Sequence, residues 1–328
     1  MIDAATADRV EAFEGRALGS ALRLHVRMPV DVGVDRAGSP DEAVEAWAVV
    51  RAELDAVDLA LSRFRDDSEL TALNRLAGSD GGVRVSWRLR EAVAIMARAS
   101  RLTGGRFDPT VLVDLEPLGE HGAPVGRGPD AGVVAPRMLE RPRTMAAPPL
   151  PLDTGGIGKG LALRWAARRA TAVLSADAGL LLEAGGDIVV AGVPPADAWR
   201  VAIEDPVTAG VPGAEPVVVV LVEDGAVATS SVRVRHWVAP DGRSVHHLVD
   251  PRTREPARTG LLAVTVAGPD PAWAEVWTKA LFLAGRDAIA DEARARDLAA
   301  WWVTDEGRLG MSPAARGRSL WVAESRLG

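Results

Sequence analysis

Residues 152–170 read LDTGGIGKGLALRWAARRA. The run opens on an apolar strand end, turns at Gly155-Gly156 and continues as a helix with apolar residues at three- and four-residue spacing. Further along, LLEAGGDIVVAG (181–192), WRVAIEDP (199–206), VVVVLV (217–222) and LLAVTVAG (261–268) read as strands. DGAVATS (224–230) sets turn residues before an alternating segment, which points to antiparallel or mixed pairing. Asp270-Pro271 then opens a helix over 271–284. A helix over 286–293 and a hairpin over 298–312, turning at Asp305-Glu306-Gly307, close the pattern. Towards the N-terminus, residues 21–30 read as a strand. A helix then starts with Ser39 as N-cap, Pro40 at N1 and Glu42 completing a capping box. Trp47, Val50, Leu54, Val57 and Leu61 give it one buried stripe. A second helix runs from Ser86 to about residue 102 and stops before Gly104-Gly105. Residues 117–151 are rich in Pro and Gly, show no period and read as a long surface loop. No internal repeat is visible. Strands and helices are only partly interleaved. The expectation is an α+β fold with mixed, mainly antiparallel sheets and flanking helices, as a single domain over 1–328.

Composition narrows the function classes. The chain has 328 residues, a net charge of -7 and no cysteine or tyrosine. An acidic balance argues against general nucleic-acid or anionic-membrane binding. Without cysteine there are no disulfides, thiolate metal sites or thiol nucleophiles. The opening MIDAATADRVEAFEG lacks a basic region followed by an apolar run, and no stretch reaches the eighteen or so apolar residues of a membrane helix. A soluble, cytoplasmic protein is expected. Lys159 and Lys279 are its two lysines, and every other basic residue is Arg. In a chain that otherwise converts Lys to Arg, those two mark positions where a compact point charge serves and a broad planar fork does not.

Several segments carry possible chemistry. DTGGIGKG (153–160) is not a P-loop, because Asp153 and Gly160 stand where that motif needs Gly and Ser/Thr. It still offers glycines, a helix start and Lys159, all suited to a phosphate. EAGGDIVVAG (183–192) places Gly185, Gly186 and Asp187 in a strand, which reads as a bulge or a close approach of ligand to backbone. TGGRFDPTV (103–111) alone is a helix stop and turn. HHLVDPRT (246–253) sets His247 near Asp250 ahead of a Pro turn. Zinc is not expected without Cys or an HxxxH pair.

Taken in order, SRFRDDSELTALN (62–74), TGGRFDPTV, LDTGGIGKG, EAGGDI, AVATSS (226–231), HHLVDPRT and AEVWTKALFLAG (274–285) resemble the successive blocks of the ApbE family. The resemblance runs from about residue 16 to 312. It implies an ApbE-like, T-fold-like architecture that cradles FAD, and flavinylation as the activity. In that reaction a Ser/Thr hydroxyl of a target protein attacks the FMN-side phosphorus of FAD, and AMP leaves. The resemblance carries Leu18, Arg106, Phe107, Asp108, Asp153, Lys159 and Val249 over as FAD contacts. The Gly185, Gly186 and Asp187 block would suit an extended dinucleotide. His247 is the candidate for handling the acceptor proton, with Asp250 and Lys279 as further catalytic candidates.

The same resemblance implies Mg²⁺ held near Gly156, by an acid at position 275 and by a Thr at position 279. Here those side chains are Glu275 and Lys279. An ammonium has no acceptor and cannot ligate. Glu275 and Lys279 stand at i,i+4, which reads either as a helix ion pair or as an ammonium in place of the ion. Arg254 and the second Ser of AVATSS are further departures, each standing where the family has Gly. Two other functions therefore stand beside the transferase: a non-catalytic FAD-binding module, and an FAD pyrophosphatase giving FMN and AMP.

Overall fold

The computed structural model describes residues 8–29, 40–120, 142–211 and 213–327. Eight strands form the main sheet, in the order 8–17, 20–29, 179–184, 187–192, 225–231, 261–268, 299–304 and 309–311. Every ladder in it is antiparallel. A three-stranded sheet of residues 319–322, 218–222 and 199–203 lies outside it. This is the α+β architecture with antiparallel sheets and flanking helices that the sequence pattern implied.

The core explains the strand compositions. On Ser20–Pro29 the residues Leu22, Leu24, Val26 and Met28 alternate inward. They pack on helices Pro40–Leu61 and Gly158–Thr171 through Val50, Leu54, Val57 and Leu161. Each fully buried Leu there is worth about 1.5–3 kcal/mol. The strands 225–231, 261–268 and 299–304 are covered on both faces. Val264, Val266 and Trp302 meet helix Pro271–Ala284. Val227, Ala267, Trp301 and Val303 meet the small sheet. Burial on both sides makes these strands continuous apolar runs rather than alternating ones.

Several expectations need correction. The polar stretch Asp8–Ala17 is an edge strand paired along its whole length with Ser20–Pro29, through a turn at Leu18-Gly19. Gly185 and Gly186 do not sit inside a strand. They are the two-residue turn joining strands 179–184 and 187–192, with φ of 59° and 88°. Positive φ at both turn positions matches the right-handed twist of the flanking strands and favours Gly. Within the expected 117–151 loop, Arg143–Ala146 is a strand paired with Gly82–Val85; residues 121–141 lie outside the described part. The helix expected at 286–293 runs over Ile289–Ala295. Ser39 lies outside the described residues, and Glu42 accepts the Ser175 N–H. Ser86 precedes its helix without capping it, because its hydroxyl donates to Glu69.

Candidate active site

The glycine turn at 153–158 is fixed from three sides. Asn74 brackets Leu152 with two 2.8 Å hydrogen bonds, donating to its carbonyl and accepting from its N–H. Thr154 donates to the Leu61 carbonyl at the end of the first helix. The Asp153 N–H donates to Pro109. Asn74 itself is held by the short helix Glu69–Asn74, capped by Ser68 and anchored where Glu69 accepts the N–H and hydroxyl of Ser86. Burial raises the Glu69 carboxyl above its ordinary value, against the pull of those bonds. The SELTALN block thus positions Asp153 without itself lining the site.

TGGRFDPTV forms the opposing wall. Thr103 closes its helix and accepts the Phe107 N–H. Asp108 accepts from the N–H and hydroxyl of Thr110 in an Asx turn. The Phe107 ring presses on the glycine turn: a Cβ on Gly156 would lie 2.8 Å from its Cε2. Gly156 is therefore a close-approach glycine. Arg106 pairs with Glu292 at 3.1 Å.

Both lysines converge beside this turn. Lys159 pairs with Asp187, and Asp187 also accepts the Thr229 N–H. Burial pulls the Lys159 ammonium down, but Asp187 and then Glu275 hold it above its ordinary value. Lys279 reaches Glu275 Oε1 at 3.1 Å, and Glu275 Oε2 accepts the Gly160 N–H at 2.7 Å. A backbone donor expected to meet a phosphate is thus taken by a carboxylate. Gly158 likewise donates to the Thr154 carbonyl. Gly160 permits this approach, since a Cβ there would lie 2.5 Å from the Ala272 Cα. Gly185 rests against Ser20, which places the Leu18-Gly19 turn beside the Gly185-Gly186 turn, with the Lys159 stem next to Gly185.

His247 completes the pocket from the far side. Its Nδ1 lies 3.2 Å from the Arg235 carbonyl, so Nδ1–H donates there and Nε2 carries the lone pair. Burial, and then Arg235, push its value down from 6.5 to about 3. Asp250 turns elsewhere. It accepts two bonds from the Arg252 guanidinium, and these hold it below the ordinary carboxylate value.

The pocket brings together Arg106, Phe107, Asp108, Asp153, Gly156, His247, Val249 and Lys279 from the sequence-derived set. Leu18, Lys159, Gly185, Gly186, Asp187, Asp250 and Glu275 lie outside its lining. Glu275 and Lys159 stand immediately behind it. Sequence reading passed over Arg63, Glu120 and Arg235, which also line it. Arg63 bridges Glu120 at 2.9 Å and Asp153 at 3.1 Å, and Arg235 also pairs with Glu120. Both guanidinium groups stand over the Phe64 ring. Burial, and then the neighbouring Arg63 charge, lower the Arg235 value. Arg63 Nη1 is buried with no hydrogen-bond partner among the described residues. The one available signal was an Arg-Phe pair inside the first motif.

Fold and pocket together define an α+β protein whose glycine turns, guanidinium groups and buried ring suit an anionic, ring-bearing ligand. Residues 19–302 match the model of the ApbE family, and the chain belongs to that family. An FAD:protein FMN transferase of Klebsiella pneumoniae is 29% identical, over 95% of this chain and 90% of its own length. One from Salmonella typhimurium is 28% identical, over 90% and 85%. The apo crystal structure of the Pseudomonas stutzeri flavinyl transferase ApbE is 28% identical with a TM-score of 0.72, covering 97% of this chain and 98% of that one. The ApbE protein of Thermotoga maritima, at 24% identity and a TM-score of 0.76, shares the fold.

Proposed function

We propose that the chain is an FAD:protein FMN transferase, acting as a single ApbE-like unit in the cytoplasm. One observation carries the reading: Phe107, Asp153, Gly156, His247 and Lys279 come from four separate motif blocks and line one pocket. Relatives across nearly the whole chain bear that activity in their names. Among the described residues no helix is long and apolar enough to cross a membrane.

The FAD pyrophosphate would lie between the glycine turn and the cationic groups of the pocket, its charge met by Lys279, Arg106 and the Arg63–Arg235 pair. The acceptor Ser/Thr hydroxyl attacks the FMN-side phosphorus. A new P–O bond forms, the bond to the bridging oxygen breaks, and AMP leaves with that oxygen. The acceptor proton passes to His247 Nε2 and on to solvent. Such a transfer depends chiefly on positioning and on neutralising charge. Mg²⁺, which supplies charge neutralisation when bound, does not fit the residues present. Both Glu275 oxygens are engaged and Lys279 offers no lone pair. Among the described residues no three His, Asp or Glu cluster as metal ligands.

The test is AMP release from FAD, by chromatography, with and without a peptide library bearing Ser and Thr acceptors. Acceptor-dependent AMP with flavin retained on peptide is the expected result. AMP and FMN without acceptor would make it a pyrophosphatase. FAD binding, seen as a shift near 450 nm, without AMP would make it a binding module.

A further inference from the structure

We infer that Lys279 supplies the positive charge beside the glycine turn that a divalent cation would otherwise supply, so that this chain binds the FAD pyrophosphate without one. The inference rests on the FAD site proposed above.

Three observations carry it. First, Lys279 occupies the space beside the glycine turn. A Cβ on Gly156 would lie 3.6 Å from both its Cδ and its Cε, so the stem lies over that glycine and the ammonium enters the pocket. Second, the carboxylate that would ligate a metal is already satisfied. Glu275 is 1% exposed, and its two oxygens meet the ammonium at 3.1 Å and the Gly160 N–H at 2.7 Å. Third, the local charges close without an ion. Lys159 pairs with Asp187 and also feels Glu275, so two ammonium groups face two carboxylates. A divalent cation between them would meet an ammonium, with both oxygens of Glu275 and of Asp187 already engaged.

Lys279 suits the substitution. Its side chain is 15% exposed, and Glu275 takes part of its donor capacity through the carboxylate and a 3.4 Å contact to the carbonyl. An ammonium carries three donors, so one remains for a phosphate oxygen. An Arg would need room for a planar fork, where the glycine turn at Gly156 lies against the stem and Glu275 already takes the head group. That accounts for a lysine surviving at this position in an arginine-rich chain.

The experiment is calorimetric titration of FAD into wild-type protein in EDTA and in Mg²⁺, with Mn²⁺ binding followed by paramagnetic resonance. Wild type should bind FAD with equal affinity in both buffers and hold no stoichiometric Mn²⁺. Lys279→Met keeps the stem and removes the charge, so FAD should bind roughly 10- to 100-fold more weakly, the equivalent of one charge-assisted hydrogen bond. Lys279→Thr should bind FAD weakly in EDTA and recover in Mg²⁺, with Mn²⁺ now bound. FAD binding by wild type only with Mg²⁺, or stoichiometric Mn²⁺ in wild type, would overturn the inference alone. Absence of FAD binding in both buffers would overturn the FAD reading of the site, and the inference with it.

Discussion

Asp153→Ala removes three functions at once. Its Oδ1 accepts the Gly155 N–H at 2.9 Å and shapes the glycine turn. The same oxygen holds Arg63 Nε at 3.1 Å in a pair whose side chains are 8% and 4% exposed. It also lines the pocket. Breaking a buried ion pair by removing one partner costs about 3–5 kcal/mol, because the other charge is left uncompensated. Glu120 keeps its hold on Arg63, so the loss here falls near the low end. Unfolding entropy of ~2.1 cal/mol/K per residue over 328 residues gives ~0.7 kcal/mol/K. A loss of about 3 kcal/mol then lowers Tm by ~4 °C. Asp153→Asn keeps an acceptor for Gly155 and loses only the charge, so it should fall between wild type and Asp153→Ala. Scanning calorimetry with and without FAD, plus FAD titration, reads both effects. The reasoning fails if Asp153→Ala matches wild type in Tm and in FAD affinity, or if Asp153→Asn is the worse of the two.

His247→Ala should abolish turnover and leave FAD affinity within about threefold, by titration beside AMP release, because the proposed mechanism gives its Nε2 the acceptor proton and no phosphate contact; equal losses of affinity and turnover would make it a cofactor contact. With a folded value near 3 against 6.5, His247 stays neutral in the FAD-free protein across pH 5–8. Its imidazole resonances should not titrate there, and a midpoint near 6.5 would refute the burial argument. The unfolded chain takes up that proton below 6.5 while the native state resists it, so this group lowers stability as pH falls from 6.5 towards 3. Gly160→Ala would set a Cβ 2.5 Å from backbone atoms of Pro271 and Ala272, forcing two helices apart. It should cost about 3 kcal/mol or more in urea unfolding, whereas Gly104→Ala, with open space and a φ of 62°, should cost about 1 kcal/mol.

Much of the fold was legible because its signals are local. Apolar spacing gave the helix 40–61, a Ser86 start and the Gly104-Gly105 stop bounded the helix 87–102, and Asp270-Pro271 marked a helix start that the Asp270 cap and Pro271 at N1 explain. The strand Asp8–Ala17 carried no such signal. It is a sheet edge, half exposed, and pairs only with its hairpin neighbour, so its sequence can be polar. Gly185-Gly186 was misplaced for a related reason. Strands of similar apolar character on both sides of a two-residue turn look like one long strand until the left-handed φ values are seen.

The site divides in the same way. Gly156 stands out in sequence as part of a glycine turn and Lys279 as one of two lysines, while Phe107 entered through the family resemblance; the structure sets the Phe107 ring and the Lys279 stem against Gly156. Arg63, Glu120 and Arg235 did not stand out, because an ion-pair chain between distant segments has no period and arginine is common throughout the chain. Yet that chain decides how Asp153 behaves. Two guanidinium groups share Glu120, Arg63 also takes Asp153, and among the described residues Nη1 of Arg63 has no hydrogen-bond partner. A buried donor in that state costs stability until something accepts from it. On the proposed reading, an oxygen of the FAD pyrophosphate would be an acceptor of the right charge at that wall. On that reading, FAD that meets this donor would relieve that cost, and added FAD should then raise Tm more in wild type than in Arg63→Met.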